Sequence, residues 1–311
     1  MSTPVTRRGW MLFAVMGTIW GVPYLLIKVA VEHVEPPVIV FGRTSLPAVV
    51  LLLIARHTGA LAPALAKWRY VLAFAAIEMM GPWFLLTNAE RHVPSGLAGL
   101  LVACVPMVGA ITSAILGDRS AVSGRAVAGI ALGMGGVALI VGRDLGADGS
   151  IPWWSVIQIL LVCVGYATAP FIADRRLGDV PPLGVIALSL GAVAALYAPL
   201  AWFARPEVAP PAKVWWAIVG LAVLCTGIAF LVFFMLIAEI GPARATLITF
   251  MNPAVAVVLG ATVLDEKITA ATLAGFVLVI SGCWLATRHR EPSVDETELI
   301  ALGVGEHLER P

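Results

Sequence analysis

Ten times along this chain a run of about 17–25 mostly apolar residues, the length that crosses a bilayer as helix, gives way to a short stretch of Pro, Gly or charge. The runs fall at 10–31, 37–55, 70–88, 95–116, 126–142, 153–173, 183–203, 214–238, 243–264 and 270–287. In lipid only helices and closed barrels satisfy their own backbone polar groups, and runs this long are helical. The expected fold is an all-α integral membrane protein with ten transmembrane helices.

Composition agrees. Of 311 residues 60% are hydrophobic and 13% charged, and the mean hydropathy is +0.95. A soluble domain carries about a quarter of its residues charged. The net charge of +1 gives no field that would attract nucleic acid. The four cysteines lie in apolar runs without metal-ligand spacing, and read as small buried side chains. The five histidines fall in loops, at segment ends or in the tail, so neither a metal nor a cofactor is expected. The N-terminal MSTPVTRRGW is followed by no small-residue cleavage site and reads as the start of a retained helix.

Lys and Arg at the segment ends set the orientation. With the N-terminus inside, twelve lie on the cytoplasmic side and five outside. Both termini are expected in the cytoplasm of a cell bounded by a bacterial-type inner membrane. Residues 291–311, with six acidic groups, read as a polar cytoplasmic tail.

The chain also repeats itself. "AERHVPSGLAGLLVACVP" at 89–106 resembles "AEIGPARATLITFMNP" at 238–253, and "VPMVGAITSAILGD" at 105–118 resembles "NPAVAVVLGATVLD" at 252–265. "EPPVIV" at 35–40 matches "VPPLGV" at 180–185, and the offset stays near 146 residues. Each unit then holds five helices, an odd number, so the second unit enters the membrane inverted. The expected units are 1–145 and 149–290. Inverted repeats build many secondary transporters, with the substrate near the midplane between the halves.

With these repeats stand Trp20-Gly21 and Lys28 in the first segment, "EPP" and Arg43 in the second, and "NPAVAVVLGATVLDEK" with Asn252, Pro253 and Glu266 in the ninth. Gly275 and Gly282 follow in the tenth. In this order and spacing the chain resembles the EamA-type members of the drug/metabolite transporter (DMT) superfamily, over about residues 10–288. The resemblance implies a ten-helix bundle around a central cavity, moving small metabolites. One departure is Gly117-Asp118, where the family usually has Gly-Glu.

Three ionisable side chains fall within the segments: Glu78, Arg43 and Lys28. Charges at such depth face a cavity or a partner. Arg43 and Glu78 differ in depth by about 6 Å at 1.5 Å per residue. Glu78 has three open readings: a proton carrier, a contact for a substrate ammonium, or the structural partner of Arg43. Arg43, which keeps its proton, is either that partner or an anchor for a substrate carboxylate. Lys28 reads as a lysine that snorkels to the headgroups or lines the cavity.

Prolines accompany these charges. Pro82 withholds the amide that would serve the Glu78 carbonyl, Pro47 does the same to Arg43, Pro170 to Tyr166 and Pro23 to Ile19. Freed carbonyls at membrane depth suit a cavity wall, though a kink alone is an alternative. Trp20, Tyr24 and Lys28 share a helical face with Gly17 and Gly21, a face for packing or for lining the cavity. Tyr166, Thr226, Phe230 and Asn252 are further lining candidates. The glycines of the fifth and tenth segments read as packing residues, and Asp265 and Glu266 as an interfacial cap or ion pair.

The function expected from these residues is a monomeric secondary carrier that works by alternating access. It would move small organic metabolites, amino acids or related compounds, outward across the plasma membrane. Its partners are the small-molecule substrate and the lipid bilayer. A multidrug efflux pump for apolar cationic compounds is the alternative. No nucleophile–base pair or filter-like loop argues for an enzyme or a channel.

Overall fold

The structure, a computed structural model, describes residues 6–115, 124–146, 151–241 and 245–287. The Gly117-Asp118 pair and the tail at 291–311 lie outside the described residues. Within them the chain is helical and has no strand. Seven helical stretches are long and apolar enough to cross a membrane: Arg7–Val31, Pro36–His57, Trp68–Ala89, Ser95–Ile115, Trp153–Leu177, Pro182–Phe203 and Ala212–Ile240. The other three expected segments hold shorter apolar helices, Gly124–Leu139, Leu247–Val263 and Ala270–Ala286. By length and composition, seven candidate spans and three shorter apolar helices therefore stand among the described residues, at the places of the ten expected segments.

Several stretches are interrupted, and proline chemistry explains most of the breaks. The first divides into α1 (Arg7–Gly21) and α2 (Pro23–Val31), because Pro23 opens a new helix after Val22. The second, α3 (Pro36–His57), carries Pro47 without breaking. After the short α4 (Leu61–Ala66), α5 (Trp68–Ala75) runs into a π-helical segment, Ala76–Met80, and then α6 (Gly81–Ala89). The fourth stretch divides into α7 (Ser95–Val102) and α8 (Val105–Ile115), since Pro106 keeps the residues before it from continuing the helix. Then come α9 (Gly124–Gly146), α10 (Trp153–Leu177) and α11 (Pro182–Phe203). A second π segment, Val223–Ile228, joins α12 (Ala212–Ala222) to α13 (Ala229–Ile240). A 3-10 turn at Thr246–Phe250 precedes α14 (Asn252–Val263), broken ahead of Pro253, and α15 (Ala270–Thr287) ends the described chain.

Helix α9 packs along α15, and glycine makes the approach possible. A methyl group on Gly129 would lie 2.5 Å from the Ala286 nitrogen, and one on Gly282 would lie 2.5 Å from the Gly133 nitrogen. Dispersion between closely approached backbones is the main attraction left in lipid, where burial of apolar surface gains little. Helix α3 packs on α11, and α7 on α14. Large apolar side chains cover the outside, among them Val49, Leu53, Leu161, Leu200 and Val277. Trp10, Trp68, Trp153, Trp202, Trp215 and Trp216 stand exposed at helix ends, the level of the membrane interface.

Candidate functional site

The candidate residues come together around Arg43. It lies in the middle of α3, 5% exposed, with its guanidinium carbon 3.9 Å from the centre of the Trp83 ring. Trp83 belongs to α6, so this cation–π contact joins the second stretch to the third. Tyr166 of α10, Cys225 of the second π segment, Tyr24 of α2 and Glu90 beyond α6 all lie near enough to feel the Arg43 charge. Among the described residues no carboxylate forms an ion pair with Arg43, and its Nε is buried without a hydrogen-bond partner. A buried guanidinium without an ion-pair partner is costly to keep from water.

Glu78 is not Arg43's partner. It sits on the first π segment, partly accessible yet deep among protein atoms, and among the described residues no ion pair reaches it. The structural ion pair between helices two and three is therefore set aside. The reason is local: Trp83, five residues beyond Glu78, occupies the space over the guanidinium. Tyr166 lies close to both Glu78 and Trp83.

The π segment also revises which carbonyl Pro82 leaves free. Gly81 donates to the Ala76 carbonyl, five residues back. In that register the amide missing at Pro82 would serve Ile77, whereas in an α register it would serve Glu78. Gly165 of α10 brings its backbone onto this point: a methyl group there would lie 2.5 Å from the Ile77 oxygen and 2.7 Å from the Pro82 ring. The Tyr197 hydroxyl donates to the Met80 carbonyl at 2.8 Å. The break is thus packed by α10 and α11. Pro23 and Pro47 are buried, but Pro170 is exposed on the outer face of α10, away from any inner wall.

The face of Trp20, Tyr24 and Lys28 is divided by the break at Val22. Trp20 packs against Phe233 and Phe230 of α13, with ring centres 4.8 Å and 6.3 Å away. Gly17 and Gly21 seat α14: methyl groups there would meet Met251 and Val255. Tyr24 turns inward and is buried beside Gly99 of α7. Asn252 is half-buried; with its amide turned to suit its neighbours, the nitrogen lies 3.0 Å from both the Gly17 and Ile248 carbonyls, so it clamps α1 to the start of α14. Lys28 is partly buried at the end of α2. Its ammonium donates to the main-chain carbonyls of Glu90 at 2.7 Å and Val93 at 3.2 Å, where the end of a helix presents unpaired oxygens.

The end of the bundle that holds Val31, Ala89 and Ser95, called here the far end, is tied across the chain. Glu266 accepts from the Ser95 and Gly96 amides at 2.6 Å and 2.9 Å and so caps α7. Asp265, at φ 54°, makes the left-handed turn that aims it. A cavity of about 380 Å³ lies beside the cap, lined by His92, Leu97, Val257, Glu266 and Thr272. The residue that sequence reasoning missed is Glu90. It falls between the apolar runs at 70–88 and 95–116, where a solvated residue is expected, yet it is 0% exposed. Its signal was the Ala-Glu pair at the end of the third stretch of each unit, 89–90 and 238–239. The four cysteines are buried thiols; Cys163 and Cys283 donate to the Leu101 and Ala103 carbonyls at the α7–α8 break.

Comparison with known proteins agrees with this architecture. The chain is 28% identical over 247 residues to the uncharacterized inner membrane transporter YedA of Escherichia coli, covering 78% of each. It is 25% identical over 292 residues to the uncharacterized transporter YvbV of Bacillus subtilis, covering 92% of this chain and 94% of that one. To a probable terminal-alkyne amino-acid exporter of Streptantibioticus cattleyicolor it is 26% identical over 287 residues, 91% and 94% of the two chains. A solved crystal structure shares the fold with a TM-score of 0.63 at 21% identity, covering 90% of this chain and 96% of that one. The protein is a multi-pass membrane transporter that works in the bilayer on a small-molecule substrate. The EamA-like transporter family matches twice in tandem, at residues 7–142 and 153–288, so the chain belongs to that family, within the drug/metabolite transporter type.

Proposed function

We propose that this transporter is a secondary carrier for small organic metabolites that bear a carboxylate, with amino acids the leading class and export the direction. The observation that carries the reading is Arg43: buried, permanently charged, covered on one face by Trp83 and lacking a carboxylate of its own. A substrate carboxylate would supply the missing charge, with bidentate hydrogen bonds that fix its orientation. Tyr24 and Tyr166 offer hydroxyls nearby, and Glu78, without a cation partner, is the candidate for proton coupling on the same wall. The exporter among the relatives supports both the class and the direction. A buried guanidinium repels a cation, which places efflux of cationic drugs second.

In this reading ten crossings form two inverted five-helix units, 1–145 and 149–290, and the pair rocks about Arg43 to open each side in turn. The doubled family match and the recurring helix breaks support it. Both units lie in one chain, so a monomer suffices, with both termini in the cytoplasm. The test is uptake of a labelled metabolite panel into proteoliposomes, with and without an imposed pH gradient. Gradient-dependent movement of carboxylate-bearing compounds, lost in Arg43→Gln, is the expected result. Movement of cationic compounds that survives Arg43→Gln would overturn the reading.

A further inference from the structure

The Ala-Glu pair at the end of the third stretch of each unit, 89–90 and 238–239, places two glutamates at equivalent points, and the structure puts them in opposite surroundings. Glu239, at the end of α13, is on the bundle end that carries the N-terminus. Its side chain is 21% exposed; it accepts from the Thr6 hydroxyl at 2.6 Å and pairs with Arg8 at 3.8 Å. Glu90, one residue past α6, is at the far end. It is 0% exposed, and both carboxylate oxygens are buried with no hydrogen-bond partner.

The charged and titratable neighbours of Glu90 are engaged elsewhere. Lys28 of α2 donates to main-chain carbonyls, not to the carboxylate. Arg43 of α3 is stacked on Trp83. Arg91 pairs with Glu35 at 2.6 Å, and the His92 ring meets Trp154 edge-on at 4.9 Å. Glu266, which follows α14, is itself an anion held by the α7 amides. Tyr24 of α2 is buried beside it. No ion pair among the described residues reaches Glu90. A bare carboxylate in such a place is far more costly than a neutral acid. Burial pushes the Glu90 carboxyl well above the usual carboxylate range; Lys28 and Arg43 draw it back only in part, and Glu266 adds to the rise.

We propose that Glu90 is a proton-binding carboxyl of the transport cycle, neutral and sealed while the far end is closed, and ionised when that end opens. Inverted repeats exchange their conformations as access alternates. Opening the far end therefore gives Glu90 the surroundings that Glu239 has here, accessible and able to pair, with Lys28 as the cation at hand. The proton leaves to the water that enters and returns before closure. The inference rests on the carrier reading given above, but not on Arg43 as the substrate anchor or on the identity of the substrate.

The test needs no substrate. The full chain in lipid bilayers is examined by infrared spectroscopy at neutral pH, as wild type, Glu90→Gln and Glu239→Gln. The expected difference between wild type and Glu90→Gln is the carbonyl stretch of a protonated carboxyl; for Glu239→Gln it is the pair of bands of an ionised carboxylate. Carboxylate bands in the Glu90 difference would overturn the proposal. Thermal unfolding gives a second reading: Glu90→Gln melts no lower than wild type, because Gln replaces a neutral group. A marked fall in melting temperature would mean that a charged, paired Glu90 had been lost. In proteoliposomes holding labelled amino acids, wild-type exchange between equal pools slows as the pH on the far-end side rises, because Glu90 must regain its proton from that side before closure, whereas exchange by Glu90→Gln does not follow that pH; the same pH dependence in both would remove Glu90 from the cycle. If the wild type moves no amino acid, the substrate reading fails and the spectra still decide the state of Glu90.

Discussion

The third stretch, Trp68–Ala89, and the eighth, Ala212–Ile240, are interrupted in the same way for different reasons. Each holds a π segment near its middle, Ala76–Met80 in one and Val223–Ile228 in the other. In the first, Pro82 follows the segment and Gly165 packs on the Ile77 carbonyl. In the second there is no proline; the Thr226 hydroxyl takes the Leu221 carbonyl, five residues back, at 2.8 Å. The third residue of each segment is Glu78 in one and Cys225 in the other. Trp83 lies over Arg43, whereas Pro182–Phe203, the second stretch of the second repeat, has no charged residue. One backbone device is thus used twice, and the first repeat alone carries the deep charges. The second repeat supplies the opposing wall, with Cys225 near Arg43 and Phe230 and Phe233 against Trp20.

The strongest way to break that division is at Arg43. Arg43→Gln should lower transport of a carboxylate substrate by about 30-fold or more, the equivalent of about 2 kcal/mol for losing one partner of a buried charge pair. Arg43→Lys should recover little, because an ammonium cannot form the planar bidentate contact or stack as well on Trp83. If Arg43→Lys transports like the wild type, a point charge is enough and the geometric argument fails. A sharper comparison sets Glu78→Gln against Cys225→Ala. The first should flatten the pH dependence of transport and the second should leave its shape unchanged. Equal effects would mean that the π segments act only as hinges.

Much of the fold could be read from the sequence, because lipid leaves so few solutions. The run lengths and the glycines of α9 and α15 each follow from a single rule about hydrocarbon. The site was less legible. Glu78 and Arg43 were both visible, but their separation was not, since it depends on Trp83 filling the space between α3 and α6. Depth along a helix axis is written in residue spacing; azimuth around a helix that changes register at Ala76–Met80 is not. Glu90 was missed for a related reason. A glutamate beyond the last apolar residue reads as solvated, and only the packing of the far end buries it.

The two π segments themselves predict a smaller effect. Thr226→Val removes the hydroxyl and leaves the Leu221 carbonyl short of a partner, at a cost of about 1 kcal/mol in stability. Pro82→Ala restores an amide and should let the first segment shift toward an α register. Amide hydrogen exchange over 76–80 and 223–228 separates the outcomes: faster exchange in the second segment for Thr226→Val, slower in the first for Pro82→Ala. No change in either would mean that packing, by α10 and α11 on the first segment and by α3 on the second, rather than local chemistry, holds both.

The smallest effect is expected where the repeats are tied in water. Lys67 donates to Asp179 at 2.6 Å and to the Arg176 carbonyl at 3.1 Å, linking the ends of the third and sixth stretches. The Asp179 side chain is 71% exposed, in contrast to the Glu266 cap, which engages two main-chain amides at the other end. The Lys67 hydrogen bond holds the Asp179 carboxyl below its usual value. A group whose folded value is depressed adds stability above its unfolded value, about 3.9 for Asp, and loses it as pH falls through the lower folded value. Exposed pairs are screened by salt, so Lys67→Ala should leave the melting temperature nearly unchanged at neutral pH and ordinary ionic strength. Glu266→Gln should lower it clearly, since one of the two amides at the helix N-terminus would then face the Gln NH2, a donor that cannot accept its hydrogen bond. Melting curves of both variants from neutral pH down to about pH 3, at low and high salt, rank the two ties. A salt-insensitive loss in Lys67→Ala would show that the water-exposed tie, and not the buried cap, holds the repeats together.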